Sequence, residues 1–271
     1  MKRPKLSSFF ILGLSFLIFS IGLVILSSAS RSFVQENYFS KQLFAFAFAF
    51  SLGVFAYFLN WEYLRRWSLQ IFLFFMFVLL LVLFPGIGTK INGARRWISL
   101  GIFNLQVSGF AKIAFVCFLA DYFEKNQRKL NDFKIGFLHP LLFAGALSML
   151  IFIEPDFGTA VLIGATGITL LYLVGTPLLY LGASIATGSL LFFVALLFNP
   201  IRMQRILAFC DVEGMKFTYA YQLWQSFLGF ASGGLSGKGL GQGRQQLHFL
   251  PEAHTDFIFP ILSEELGLFA S

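Results

Sequence analysis

Charge is scarce in this sequence. Asp, Glu, Lys and Arg make up 12% of its 271 residues, where a soluble globular domain averages about a quarter. That scarcity excludes an ordinary soluble domain and leaves an integral membrane protein. Cysteine is nearly absent. Cys117 and Cys210 lack metal-ligand spacing and Cys117 sits in an apolar run, which argues against a zinc centre and a structural disulfide. There is no internal repeat, and no pattern for binding RNA or DNA. The net charge of +7 is therefore read as a topology signal and not as a nucleic-acid surface.

What is present is apolar surface. Hydrophobic residues make up 57% of the chain, and Phe alone occurs 38 times, partly as composition bias. The apolar runs predict an all-α, polytopic membrane helical bundle of about seven to eight spans. The spans are expected at 9–29, 42–59, 67–84, 105–123, 135–153, 157–174 and 178–198, with an eighth starting at Phe257. The basic start, Met1 to Lys5, followed by an apolar run has the look of a signal peptide. The run from Phe9 to Leu26 is long and carries no clear cleavage site, so it reads as an uncleaved first span. A long outer loop, 199–256, precedes the last span, and the chain 1–271 reads as one membrane domain.

Alternating the spans from a cytoplasmic N-terminus leaves nine cations inside: Lys2, Arg3, Lys5, Arg65, Arg66, Lys125, Arg128, Lys129 and Lys134. Five lie in short outer loops: Arg31, Lys41, Lys90, Arg95 and Arg96. The asymmetry follows the positive-inside rule. It puts the Lys90–Trp97 connection, the Glu154–Asp156 turn and the long loop on the outer face.

Polar chemistry is concentrated in a few places. Phe249 to Pro260 packs Glu252, His254 and Asp256 between greasy segments. Pro251 suits the first turn of a helix, which would set Glu252 and Asp256 on one face. Such a face could take a proton or hold a divalent metal. Three near ligands, His248 included, do not by themselves make a sound metal site.

Arg95, Arg96 and Trp97 follow a turn at Asn92-Gly93. They read as a membrane-surface anchor or as a phosphate clamp. Lys112, deep in the fourth span, marks a functional cavity or a buried ion pair. Glu154-Pro155-Asp156 is a plain outer turn or a wet cavity wall, and Asp156 could pair with Lys112. The glycine-rich run 233–244 lacks a Ser or Thr after Lys238 and a preceding strand. It reads as a flexible or re-entrant loop and not as a nucleotide site. Tyr221 to Phe227 reads as an amphipathic helix on the membrane surface.

Together these motifs resemble the SEDS family of bacterial cell-wall elongation, division and sporulation proteins. The matching stretches are Asn92–Ile98, Ser108–Lys112, Glu154–Ala160, Tyr221–Gly243 and Leu250–Gly267, in family order. Tyr221 to Leu223, Pro251 to His254 and Ser263 to Gly267 look more like the division branch, FtsW, than the elongation branch, RodA. The resemblance implies a peptidoglycan glycosyltransferase that polymerises lipid II at the outer face of the bacterial cytoplasmic membrane. It implies Asp256 as the essential loop aspartate. Arg95, Arg96, Trp97, Lys112, Asp156, Glu252 and His254 would contact substrate. A divalent cation (Mg2+ or Mn2+) is an expected cofactor, without any nucleotide. The implied partners are lipid II, membrane lipids, a class B penicillin-binding protein and other division proteins. The rival roles are a lipid II flippase, a RodA-like elongation polymerase and a non-catalytic division scaffold. Two departures stand out. Gln106-Val107-Ser108-Gly109 replaces the family's Gln-Pro-Ser-Glu, and the family's last helices are expected to be missing after Ser271.

Overall fold

The structure is a computed structural model that describes residues 6–29, 38–91, 93–99, 104–245, 250–251 and 255–269. The chain divides into two compact units, 58–195 and the pair 1–57 with 196–271.

The helices follow the apolar runs. They are α1 (Leu6–Ala29), α2 (Tyr38–Phe58), α3 (Trp61–Arg66) and α4 (Ser68–Val82). A three-stranded antiparallel ribbon follows: β1 (Thr89–Ile91), β2 (Ala94–Ser99) and β3 (Asn104–Gln106), in that order. Then come α5 (Val107–Lys125), α6 (His139–Ile153), α7 (Phe157–Leu173) and α8 (Leu178–Leu197). The chain ends through α9 (Pro200–Cys210), α10 (Tyr221–Gly233) and α11 (Ile258–Leu266). Among the described residues, four helical stretches are long and apolar enough to cross a membrane: Phe9–Ser28, Phe39–Phe58, Lys134–Ile153 and Leu178–Leu197. α4 and α7 are apolar but shorter. The architecture is that of a multi-pass membrane helical bundle.

In the unit 58–195 the core lies among α4, α5, α6 and α7. Phe72, Leu79, Phe115, Leu119, Leu147, Ile151 and Ile163 are almost fully buried there. Phe72 stacks on Phe118 with centroids 4.9 Å apart, and Phe143 meets Phe118 edge-on at 4.9 Å. Small residues allow α6 and α7 to approach closely. A Cβ on Gly167 would lie 2.8 Å from the Ala144 methyl, the close packing that membrane helices favour. At the foot of α4 and α5, Asp121 accepts from Ser68 at 2.8 Å and pairs with Lys125 at 2.6 Å.

In the other unit, Phe19 of α1 stacks on Phe46 of α2. Ile25 of α1, Leu250 and Ile261 of α11 form a small buried cluster.

Three expectations change. The 60–66 loop contains a helix. Asn60 caps α3 by accepting from the Glu62 N–H, and Arg65 and Arg66 sit at its C-terminal end, where cations suit the helix dipole. The polar connection 87–104 is largely the ribbon, and its β1–β2 pairing leaves a two-residue loop between Ile91 and Ala94. Finally, the loop 199–256 carries two helices, α9 and α10, and the second contains the expected amphipathic segment.

Candidate functional site

The sequence-predicted residues fall into two groups, one in each unit.

In the first unit the β ribbon meets the turn between α6 and α7. Side chains alternate along a strand, so β2 divides its neighbours. Ala94, Arg96 and Ile98 share one face, and Ile98 packs against the helical core. Arg95 and Trp97 share the other. Arg96 Nε donates to the Glu154 carbonyl at 3.0 Å, and its Nη2 donates to the Pro155 carbonyl. These are backbone groups freed where Pro155 interrupts the helix. Asp156 caps α7, accepting from the Thr159 N–H at 3.2 Å on Oδ1 and from Gln106 Nε2 at 3.3 Å on Oδ2. Gln106 ends β3 and leads into α5, so it ties the ribbon to the cap.

The expected Asp156–Lys112 pair is not formed. The oxygens of Asp156 are taken by Gln106 and Thr159. Lys112 is half-buried and, among the described residues, makes no ion pair; Arg95 is likewise half-buried and unpaired. These two cations are free to meet an anion.

Glu154, absent from the predicted site, is the most perturbed group here. It is 1% exposed, and both its carboxyl oxygens lack a hydrogen-bond partner. Burial, then the charge of Asp156, pushes its pKa up to about 8 against the pull of Arg96. The sequence signal was available, since a carboxylate next to a helix-breaking proline between two apolar runs has little water to reach.

In the second unit Asp256 lies exposed in the turn Thr255–Phe257, and its carboxylate makes no hydrogen bond among the described residues. The turn at Thr255–Phe257 departs from the single helix expected to run from Pro251 through Asp256. Pro251 is itself in a turn and α11 starts at Ile258. The reason is Pro260, which has no N–H to give the residue 256 carbonyl and fits only a first turn. Glu252 and His254 lie outside the described residues. Among the described residues no three His, Cys, Asp or Glu side chains converge on a metal-sized site.

In α11, which follows that turn, the acids are buried, Glu264 at 0% and Glu265 at 1% exposure. Glu264 Oε1 accepts from Lys238 Nζ at 2.9 Å and Ser232 Oγ at 3.0 Å, and its Oε2 accepts from the Gln245 N–H at 3.0 Å. Ser28 of α1 donates to Glu265 Oε1 at 2.6 Å. The glycine-rich run is not a loose loop. It wraps the end of α11, with the Lys238 N–H on the Glu264 carbonyl at 3.0 Å and the Gly239 N–H on the Glu265 carbonyl at 2.9 Å. A Cβ on Gly233 would sit 2.1 Å from the Ser263 carbonyl oxygen, and one on Gly237 2.2 Å from that of Glu265. Glycine is required by that approach.

Known proteins align with this arrangement over nearly the whole chain. A family of cell cycle proteins, FtsW/RodA/SpoVE, matches residues 7–270. A Coxiella burnetii protein called a probable peptidoglycan glycosyltransferase FtsW is 40% identical over 93% of this chain and 69% of its own length. A Thioalkalivibrio sulfidiphilus protein of the same name is 38% identical over 93% of this chain. This chain spans 64% of the length of that relative. Among solved structures, a chain of a peptidoglycan synthase complex that coordinates polymerization and crosslinking superposes with a TM-score of 0.71. The identity is 22%, over 95% of this chain and 71% of that one. The rod shape determining protein RodA of Thermus thermophilus gives 0.55 at 26% identity, over 66% of this chain and 58% of its own. With the family pattern running from α1 to the end of α11, the chain belongs to the FtsW/RodA/SpoVE family of cell cycle proteins.

Proposed function

We propose that the chain is a peptidoglycan glycosyltransferase of cell division, polymerising lipid II into glycan strands at the outer face of the bacterial cytoplasmic membrane. The observation that carries this reading is Asp256. It is an exposed carboxylate, uncommitted to any hydrogen bond among the described residues, in a family whose relatives bear that activity in their names.

The chemistry is inverting transfer. The 4-hydroxyl of GlcNAc on one lipid-linked disaccharide attacks the anomeric carbon of MurNAc on another. The new C1–O4 bond forms as the C1–oxygen bond to undecaprenyl pyrophosphate breaks. The hydroxyl proton passes to Asp256, which acts as general base. Negative charge grows on the departing pyrophosphate, and a cation held near it lowers the barrier. Arg95 and Lys112, unpaired among the described residues of the unit 58–195, have the charge that such a role requires. Arg96, committed to the Glu154 and Pro155 carbonyls, holds the ribbon in place. A divalent ion, if used, would be held by Asp256 with Glu252 or His254 and would screen the pyrophosphate. A class B penicillin-binding protein is the proposed partner, supplying the crosslinking activity. Septal rather than lateral wall growth is favoured because the relatives at 35–41% identity are named FtsW.

The test is lipid II polymerisation by the chain reconstituted with that partner. Asp256→Asn should abolish polymer while the protein remains folded and inserted. Full activity in the variant would overturn the assignment. Transport of labelled lipid II without polymer would favour a flippase.

A further inference from the structure

We propose that Glu264 is a positioning residue, which fixes the turn bearing Asp256 by pinning both sides of it to α11. The proposal rests on reading Asp256 as the general base.

Glu264 is wholly buried, so it cannot touch a substrate. Its three hydrogen bonds reach three separate parts of the chain: Ser232 in the last turn of α10, Lys238 in the glycine wrap and the Gln245 backbone. Its own carbonyl accepts from the Lys238 N–H, so Lys238 grips the residue by side chain and backbone at once. The anchoring continues toward Asp256. The Gln245 carbonyl accepts from the Leu250 N–H at 3.3 Å. Leu250, 1% exposed, is buried with Ile261 of α11 and Ile25 of α1. Asp256 thus sits six residues after one fixed point, Leu250, and two before another, Ile258. Both are referred to the helix that carries Glu264.

A buried ion pair is a poor way to gain stability, because desolvation offsets most of the attraction. Its better-attested use is to fix one arrangement among several. A general base needs such fixing, since it must be held within about 0.5 Å of its productive position. The prominence of Glu264 follows from that need.

The test measures geometry and turnover separately, on the 271-residue chain in nanodiscs. Cys117 and Cys210 are first replaced by Ser. Spin labels are placed at Thr255→Cys and Leu235→Cys, both exposed positions of the same unit, and their separation is measured by pulsed electron resonance. One narrow distance is expected in the parent. Lys238→Met and Glu264→Gln should broaden it, and Lys238→Arg should restore it. In unlabelled protein, Lys238→Met should lower kcat for lipid II polymerisation about a hundredfold. KM should stay within about twofold, and Lys238→Arg should recover the rate. Lys238 is one-third exposed, so its variants decide the matter if Glu264→Gln fails to insert. An unchanged narrow distance in Lys238→Met overturns the proposal. So does a raised KM with kcat intact. If Asp256→Asn polymerises normally, the catalytic reading fails, and the distances still report on the anchor independently.

Discussion

Glu154 and the two arginines of β2 illustrate how single side chains divide the work. Glu154 lies in the turn outside α6 and α7, and its pKa is raised from 4.5 to about 8. The folded protein therefore binds a proton that the unfolded chain has lost between those values. Stability is fully present below about pH 4.5 and falls as pH rises, with the loss complete above about pH 8. The slope approaches about 1.4 kcal/mol per pH unit inside that window. Glu154→Gln is expected to flatten it. Thermal midpoints of both proteins, measured in detergent from pH 5 to 9, check this, and parallel curves would refute it. Arg95 and Arg96 are adjacent and make opposite predictions. Arg96→Ala frees two carbonyls at the α6–α7 turn, which should cost about 1–3 kcal/mol of stability. Arg95→Ala breaks no bond among the described residues and should leave the melting midpoint unchanged while slowing polymerisation. A shared loss of stability would mean that the strand does not separate them.

Elements were legible to different degrees, for physical reasons. The spans could be read because a run of apolar residues long enough to cross a bilayer has few other uses. The last apolar run is legible to within a residue, Phe257 against an observed start at Ile258, whereas Pro251 is a weaker helix signal because the later Pro260 also suits a first turn. The ribbon has one strong sequence signal, the Asn92-Gly93 turn, and the charges of the flanking Lys90, Arg95 and Arg96 obscure the strand pattern beside it. The glycine-rich run reads from sequence as a flexible or re-entrant loop because glycine reports either freedom or close approach, and sequence alone does not separate the two. Asp256 was legible as a polar residue in an apolar setting, whereas its anchor needs residues 232, 238, 245 and 264 together. The wrap itself makes a prediction. Gly237 has φ +75° and no room for a Cβ, so Gly237→Ala should cost more than the roughly 1–2 kcal/mol of a left-handed non-glycine residue. Gly182, with nothing within 4 Å of its added Cβ, should accept Ala with little change. Thermal melts of the pair distinguish a packed wrap from a loose loop, which would treat both alike.

At the scale of the whole molecule the scarce charges decide orientation. Nine cations in the loops proposed as cytoplasmic, against five in the short outer ones, favour a cytoplasmic N-terminus. The proposed chemistry needs the same orientation, because Asp256 must reach lipid-linked sugar on the outer leaflet. The native cysteines test it directly. Cys210 is exposed at the end of α9, just beyond α8, while Cys117 is half-buried in α5. A membrane-impermeant maleimide applied to intact spheroplasts should label Cys210 and spare Cys117. With Cys210 replaced by Ser, Asn131→Cys, exposed in the basic connection between α5 and α6, should react only after the membrane is permeabilised. Labelling of Asn131→Cys in sealed spheroplasts would invert the topology. It would also put Asp256 on the side of the membrane opposite to its proposed substrate, so one orientation measurement bears on the catalytic reading as directly as the Asp256 variant does.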